Sequence, residues 1–209
     1  MPLEHSLLRG LAVAGSGVVY WAGVFIQGRR VRRHIGRSPN LKPLGAKEQV
    51  LWVGWVLVSI GWIVQPLVAL GRHPWPGFRA CPEFAAAGLI FGLALLAAGY
   101  AGTLWCYSAM GDAWRIGVNR AEKNALVVCG PYAYVRHPIY LFQMVMLSGV
   151  LCLLPTVASL AMLVIHALCA WTKALDEEAH QVRVHGADYQ RYVARTGRFV
   201  PRLFSHTGQ

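Results

Sequence analysis

Five long apolar stretches, separated by shorter polar segments, dominate the chain. Each reaches or exceeds the ~17 residues that a helix needs to cross a bilayer. The pattern therefore predicts five membrane-spanning helices. They are expected at about Leu7–Gln27, Val50–Leu70, Phe84–Met110, Pro138–Leu154 and Thr156–Thr172.

The last two stretches are short and are separated only by the turn around Pro155. Because lipid cannot hydrogen bond to an open loop, this spacing favours a tight helical hairpin. The charged segment "KALDEEAHQVRVHGADYQRYVAR", which begins at Lys173, is expected to continue the fifth helix beyond the membrane. The predicted fold is an all-α integral membrane protein with about five transmembrane helices, the last two a helical hairpin, and a cytoplasmic C-terminal helix.

Composition and charge agree with this fold. The chain is 56% hydrophobic and 14% charged, whereas soluble domains carry about a quarter charged residues. The net charge of +11 comes mainly from three basic segments, which five spans would place on one side of the membrane. Basic loops lie in the cytoplasm, so we expect the C-terminus inside and the N-terminus outside. The same reasoning accounts for the charge without a nucleic-acid partner.

The five cysteines carry no CxxC spacing. They suggest neither a disulfide framework nor a zinc site, and no metal is predicted. Packing as small apolar side chains is the expected role.

Arg136, His137 and Pro138 stand where the fourth apolar stretch begins. Pro138 suits the first turn of a helix, whose free N–H groups attract a carboxylate or phosphate. The alternative is that Arg136 snorkels to the lipid headgroups and His137 only caps the helix.

A second polar feature follows on the fifth helix. His166, Lys173, Glu177 and His180 are spaced by seven, four and three residues, which places them on one helical face. A histidine at membrane depth is a functional-site hypothesis, although a neutral imidazole bound to a neighbouring helix would serve as well. Lys173 and Glu177 alone could be an ordinary i,i+4 pair.

The hairpin should bring the Arg-His-Pro motif and this face to one membrane mouth. A cation, a carboxylate and a helix N-terminus beside an apolar zone match a ligand with a carboxylate, an ammonium and ribose hydroxyls. S-adenosylmethionine is such a ligand.

The stretch "ALVVCGPYAYVRHPIY", followed about 40 residues later by "EEAHQVRVHGADYQRYVARTGRFVP", resembles the isoprenylcysteine carboxyl methyltransferase family and the related membrane phospholipid methyltransferases. Upstream, "MGDAWRIGV" is similar to bacterial members. The resemblance implies a multi-pass enzyme of the bacterial inner membrane that transfers a methyl group from S-adenosylmethionine to a lipid-like acceptor. The chain would form one domain over residues 1–209, with N-terminal helices in 1–104 and a catalytic half in 105–204.

The resemblance also assigns site residues. Lys173 takes the position of an arginine that engages the substrate carboxylate in eukaryotic members, and it is the candidate catalytic cation. Glu177 would be the polar anchor of the cofactor. The other cofactor-binding positions implied are Gly117, Asn124, Ala125, Leu126, Val127, Tyr132, His137, Pro138, Ile139 and Tyr140.

Besides Lys173, two positions depart from the family pattern: Asn124 replaces a histidine, and Phe142 replaces a glycine, which is expected to alter packing beside the cofactor. The C-terminal stretch with Tyr189, Arg195 and Arg198 could cover the cofactor as a lid or lie on the headgroups as a basic segment.

The acceptor stays open between a carboxylate, an amine, a thiol and a quinone-like lipid, and the oligomeric state is not predicted. An amine would need a base, for which Glu178, His180 and Tyr192 are available. A sterol-reductase-like enzyme that uses NADPH and a small transporter or channel subunit, with His166 on the pathway, are the competing interpretations.

Overall fold

A computed structural model describes residues 3–36, 45–69, 71, 76–78, 88–114 and 125–202. Within these ranges the regular structure is helical, apart from an isolated bridge between Val135 and Gly197. The principal helices are α1 (Leu3–Ile35), α2 (Ala46–Ala69), α3 (Gly88–Met110), α4 (Pro138–Leu153), α5 (Val157–His185) and α6 (Ala187–Arg195).

The predicted all-α membrane fold is confirmed. Among the described residues, four helices (α1, α2, α3 and α5) are long and apolar enough to cross a membrane. The fifth apolar helix, α4, has 16 residues, or about 24 Å at 1.5 Å per residue. It forms the predicted hairpin with α5.

The predicted helix ends differ from the structure most clearly at two places. Helix α1 continues past Gln27 to Ile35, because the basic residues that follow the apolar stretch include four arginines, which are good helix formers. The segment after Lys173 is not one continuous helix. It breaks at Gly186, which has a φ of +52°, and α6 begins at the next residue.

The hairpin turn is held by buried hydroxyl groups. The Thr156 side chain accepts a hydrogen bond from the Ser159 backbone N–H at 2.9 Å and so caps α5. Gln65 of α2 donates to the hydroxyls of both residues. This contact ties α2 to the turn, which has few other polar partners at membrane depth.

Helices α3 and α4 approach closely because glycines face the contact. A Cβ on Gly99 would lie 2.7 Å from the Phe142 carbonyl oxygen, and one on Gly102 would lie 2.3 Å from the Phe142 ring. Small residues permit such backbone approach in membranes. Phe142 was expected to alter packing beside a cofactor. Its ring instead fills the space above Gly102 in the α3–α4 interface, and it is not among the residues that line the cavity described below.

Candidate functional site

A cavity of about 540 Å³ runs between the helices. Its mouth is polar and is formed by the start of α4, the end of α5, and α6. Its inner end is aromatic and lies between α1, α2, α4 and α5. A volume of this size is typical of a site for a small molecule or cofactor.

Most of the predicted site residues meet in this cavity. Eight of them line it: Leu126, Val127, Tyr132, His137, Ile139, Tyr140, Lys173 and Glu177. Pro138 is buried at the first position of α4 and does not line it. Ala125 lines a smaller neighbouring cavity together with Leu126. Gly117 and Asn124 lie outside the described residues.

Glu177 connects the Arg-His-Pro motif to α5. Its carboxylate accepts a hydrogen bond from the Tyr140 hydroxyl at 2.9 Å and lies 3.3 Å from His137 Nδ1. The side chain remains 24% exposed, so the carboxylate can also reach a ligand in the cavity. The predicted convergence of the motif and the acidic pair at one mouth is therefore present in the fold.

Glu178 has a different role, which sequence reasoning missed. It accepts hydrogen bonds from Arg136 Nε at 3.0 Å and from two nitrogens of Arg198 at 2.8 Å each. His137 Nε2 lies 3.3 Å away. With its oxygens occupied, Glu178 is poorly placed to act as a base for an amine acceptor. The quoted motif blocks contain both glutamates and five arginines, but the sequence does not show which arginines pair with Glu178.

The same contacts decide the role of Arg136. Its side chain is only 7% exposed and donates to the Thr196 carbonyl as well as to Glu178. The snorkelling interpretation was therefore wrong. His137 is the N-cap residue of α4 but makes no side-chain capping bond there, and its ring nitrogens face Glu177 and Glu178 instead.

His137 lies between the two carboxylates. Burial lowers the pKa of His137, but hydrogen bonds to Glu177 and Glu178 outweigh burial and leave this pKa raised above 6.5. Each ring nitrogen faces a different carboxylate, and only the imidazolium form can donate from both nitrogens. The geometry thus favours a charged His137.

The C-terminal segment folds back over the motif. The backbone N–H groups of Arg136 and His137 donate to the carbonyls of Gly197 at 2.9 Å and Arg198 at 3.1 Å. The Arg198 guanidinium also lies 4.6 Å from the centre of the Trp171 ring, a cation–π contact. This part of the chain is therefore built into the site rather than spread on the headgroups.

Helix α6 forms the wall above the mouth. Tyr189 and Tyr192 are buried and line the cavity, while Arg191 is exposed and pairs with Asp188. The Tyr192 hydroxyl donates to the Tyr132 carbonyl at 2.7 Å. Burial raises the pKa of Tyr192 to about 12, so this phenol is protonated near neutral pH and is not a base.

Lys173 lies deeper, between α2 and α5. It is 5% exposed, and its ammonium lies 3.5 Å from Glu48 Oε1. One layer closer to the surface, Lys47 pairs with Asp176 at 2.7 Å. Lys173 also lines the cavity, so the ion pair holds its charge beside the space for a ligand.

His166 lies about two turns further in on α5. Its side chain is 4% exposed. Its Nε2 is buried without a hydrogen-bond partner, and the side chain lines the cavity.

Taken together, the mouth offers a carboxylate, a cation and aromatic surfaces beside an apolar interior. His137 and Tyr140 stack with ring centres 5.8 Å apart. Such a mouth can bind a ligand that carries both an ammonium and a carboxylate. Among the residues described, no group of three His, Cys, Asp or Glu side chains is arranged to hold a metal ion.

Comparison with known proteins agrees with this picture. Residues 87–188 match the family described as phospholipid methyltransferase, which confirms the resemblance inferred from the motifs. The matched segment is just under half of the chain and contains α3, α4, α5 and the start of α6.

Two curated relatives are bacterial. The cobalt-zinc-cadmium resistance protein CzcN of Cupriavidus metallidurans is 24% identical over 139 residues, which cover 66% of this chain and 59% of the relative. The nickel-cobalt-cadmium resistance protein NccN of Alcaligenes xylosoxydans xylosoxydans is 26% identical over 102 residues, or 49% of this chain and 44% of the relative. The chain thus spans about half the length of these relatives.

Proposed function

We propose, from the premise that residues 87–188 belong to the phospholipid methyltransferase family, that this protein is an integral-membrane methyltransferase. It transfers a methyl group from S-adenosylmethionine to a lipid-like acceptor that enters from the bilayer. The observation that carries the proposal is the position of Glu177. Its carboxylate is anchored by Tyr140 and His137 at the polar mouth of a cavity whose interior is apolar.

The residues at the mouth suit the cofactor. Glu177 would bind the ammonium of its amino acid end, and the aromatic rings of Tyr132 and Tyr140 offer faces for the adenine and for a positive charge. The backbone of Leu126 and Val127, which lines the cavity, would contact the adenosine. When bound, S-adenosylmethionine supplies an electrophilic methyl group on a sulfonium.

The protein's contribution to the reaction is orientation and exclusion of water. Alignment of the acceptor atom with the methyl group can supply up to ~7–11 kcal/mol, and a low-dielectric interior strengthens each charge that is held in place. Lys173 is our candidate for the cation that orients the acceptor. Its pairing with Glu48 fixes the ammonium at the boundary between the polar mouth and the aromatic interior.

Binding of S-adenosylmethionine to the purified protein, measured by calorimetry beside NADPH, tests the cofactor. We expect S-adenosylmethionine to bind and NADPH not to bind. Glu177→Gln should weaken binding about tenfold, which corresponds to ~1.4 kcal/mol. Asp176→Asn is the matched control, since Asp176 pairs with Lys47 outside the cavity. Binding of NADPH alone, or unchanged binding in Glu177→Gln, would contradict the proposal.

Transfer itself is tested with methyl-labelled S-adenosylmethionine and isolated membranes, followed by identification of the labelled species. Lys173→Met should lower the rate of transfer while cofactor binding is retained. A labelled lipid-soluble product is expected. Label that appears only in water-soluble products would exclude a bilayer acceptor.

A further inference from the structure

The inner end of the cavity is an aromatic chamber. Tyr20 of α1 and Trp62 of α2 stack there with ring centres 5.5 Å apart, and Trp55 stacks on Tyr140 at 6.1 Å. All four side chains line the cavity. The walls therefore suit a flat, uncharged group that arrives from the lipid phase.

Two polar atoms in this chamber have no partner. His166 is 4% exposed, and its Nε2 makes no hydrogen bond. Gln143 donates from Nε2 to the Tyr20 hydroxyl, while its Oε1 is buried and unpaired. Both side chains line the cavity. A buried polar group without a partner is unfavourable, so a ligand that pairs with these two atoms gains affinity.

Both unpaired atoms can accept a hydrogen bond. When one nitrogen of a neutral imidazole donates, the other accepts. His166 Nε2 is therefore an acceptor in the tautomer that carries its proton on Nδ1. Gln143 Oε1 is a carbonyl oxygen and can only accept. The complementary ligand must bring hydrogen-bond donors, which a hydroxylated ring supplies, whereas an ionised carboxylate only accepts and is mismatched to both atoms.

We propose that this chamber binds the methyl acceptor, and that the acceptor carries a neutral, hydroxylated aromatic head whose O–H groups donate to His166 Nε2 and Gln143 Oε1. The identification of the ligand as a methyl acceptor rests on the proposed methyl transfer, whereas the binding site itself rests on the two unpaired atoms. Of the acceptors that the sequence leaves open, it disfavours an ionised carboxylate and agrees with the hydroxylated, reduced form of a quinone-like lipid.

The same contact provides a path for the proton. As the hydroxyl oxygen forms its bond to the methyl carbon, the carbon–sulfur bond breaks and its electron pair stays on sulfur. The hydroxyl proton moves to His166 Nε2, which then carries the positive charge until solvent removes the proton. His166 is thus the proposed proton acceptor for this reaction.

Equilibrium binding of tritiated 4-octylphenol to the protein in lipid nanodiscs, with empty nanodiscs subtracted, tests the chamber without the cofactor. The matched probes are 4-octylanisole, which lacks the O–H donor, and 4-octylbenzoate. We expect the phenol to bind at least tenfold more tightly than either. Equal affinity of the phenol and the anisole would overturn the proposal.

Two variants locate the contact. His166→Phe and Gln143→Met keep similar shapes and should each weaken phenol binding about tenfold, while leaving anisole binding unchanged. Gln190→Met is the control, since Gln190 is an exposed glutamine of α6 whose side chain lies outside the cavity. Unchanged phenol binding in both chamber variants would overturn the assignment. If one variant fails to fold, the other variant and the comparison of probes on the natural protein still test the assignment.

The two proposals fail separately. If the protein methylates an amine or a carboxylate but does not bind the phenol, the chamber assignment is wrong and the methyltransferase stands. If the phenol binds as expected and S-adenosylmethionine does not, the chamber stands and the methyltransferase proposal is wrong. With both intact, His166→Phe should slow methylation of the phenol by more than its loss of binding, because the proton acceptor is also removed.

Discussion

Glu177 and Glu178 are adjacent in the sequence, yet they serve different parts of the site. Neighbours on a helix point about 100° apart, so Glu177 faces the cavity while Glu178 faces Arg136 and Arg198. One carboxylate is left for a ligand, and the other holds the C-terminal segment against the motif. This division of roles leads to opposite expectations for two very similar substitutions.

Glu178→Gln is expected to destabilise the protein by about 3 kcal/mol, because removal of one partner leaves a largely buried guanidinium without its counter-charge. Arg136 is 7% exposed. Thermal unfolding in detergent measures the effect. Glu177→Gln, whose partners are a tyrosine hydroxyl and one imidazole nitrogen, should cost clearly less stability and mainly weaken cofactor binding. Equal loss of stability in the two variants would contradict these separate roles.

His137 makes the stability depend on pH. Its pKa is raised above the ordinary value of 6.5 because Glu177 and Glu178 outweigh the effect of burial. A raised pKa in the folded state means that the stabilisation is fully present below about pH 6.5. It is lost as the pH rises through the folded pKa.

The measurement is the unfolding temperature of the natural protein and of His137→Gln between pH 5.5 and 8.5. The advantage of the natural protein should shrink as the pH rises. An advantage that grows with pH would show that His137 is neutral in the folded protein, contrary to the geometry.

At the scale of helices, α3 and α4 depend on close approach. The Cβ that Gly99→Ala introduces would lie 2.5 Å from Met146 Cγ and 2.7 Å from the Phe142 carbonyl oxygen. The backbone oxygen cannot move aside without a shift of α4, so we expect a loss of about 1–3 kcal/mol. Unfolding in detergent tests this. Gly15→Ala, where nothing lies within 4 Å of the new Cβ, should leave stability nearly unchanged.

Because α4 begins at the site residues His137 and Pro138, this packing also sets the position of the mouth. Gly99→Ala should therefore weaken cofactor binding as well as stability. Full retention of binding in a destabilised Gly99→Ala protein would show that the site is held by the C-terminal segment alone.

At the scale of the whole molecule, the distribution of basic residues predicts the orientation. The polar mouth lies at the end of the bundle where α4 begins and α5 becomes charged, and the positive-inside rule predicts that this end faces the cytoplasm. A fluorescent protein fused after Gln209 is expected to fold and fluoresce in bacterial cells, and an alkaline phosphatase fused there should be inactive. An active phosphatase would show that the C-terminus lies outside, contrary to the proposed topology.

Part of the site could be predicted from the sequence. The hairpin spacing alone brings Arg136–Tyr140 and Asp176–Glu178 to one end of the bundle, and the fold confirms this. Phe142 shows the limit of prediction from sequence. The family pattern has a glycine at this position, which suggested a contact with the cofactor. Only the packing of the Phe142 ring against Gly102 of α3 shows which side the ring occupies.

The sequence by itself determined the membrane class, the hairpin and the convergence of the charged motifs. These follow from hydrophobic length and helical periodicity, which are local properties. Only the tertiary structure decided that Glu178 is an internal ion-pair centre, that the C-terminal segment pairs with the motif backbone, and that His166 and Gln143 share one chamber. These depend on contacts between residues far apart in the chain, and burial and pairing at such contacts are set by how the helices pack.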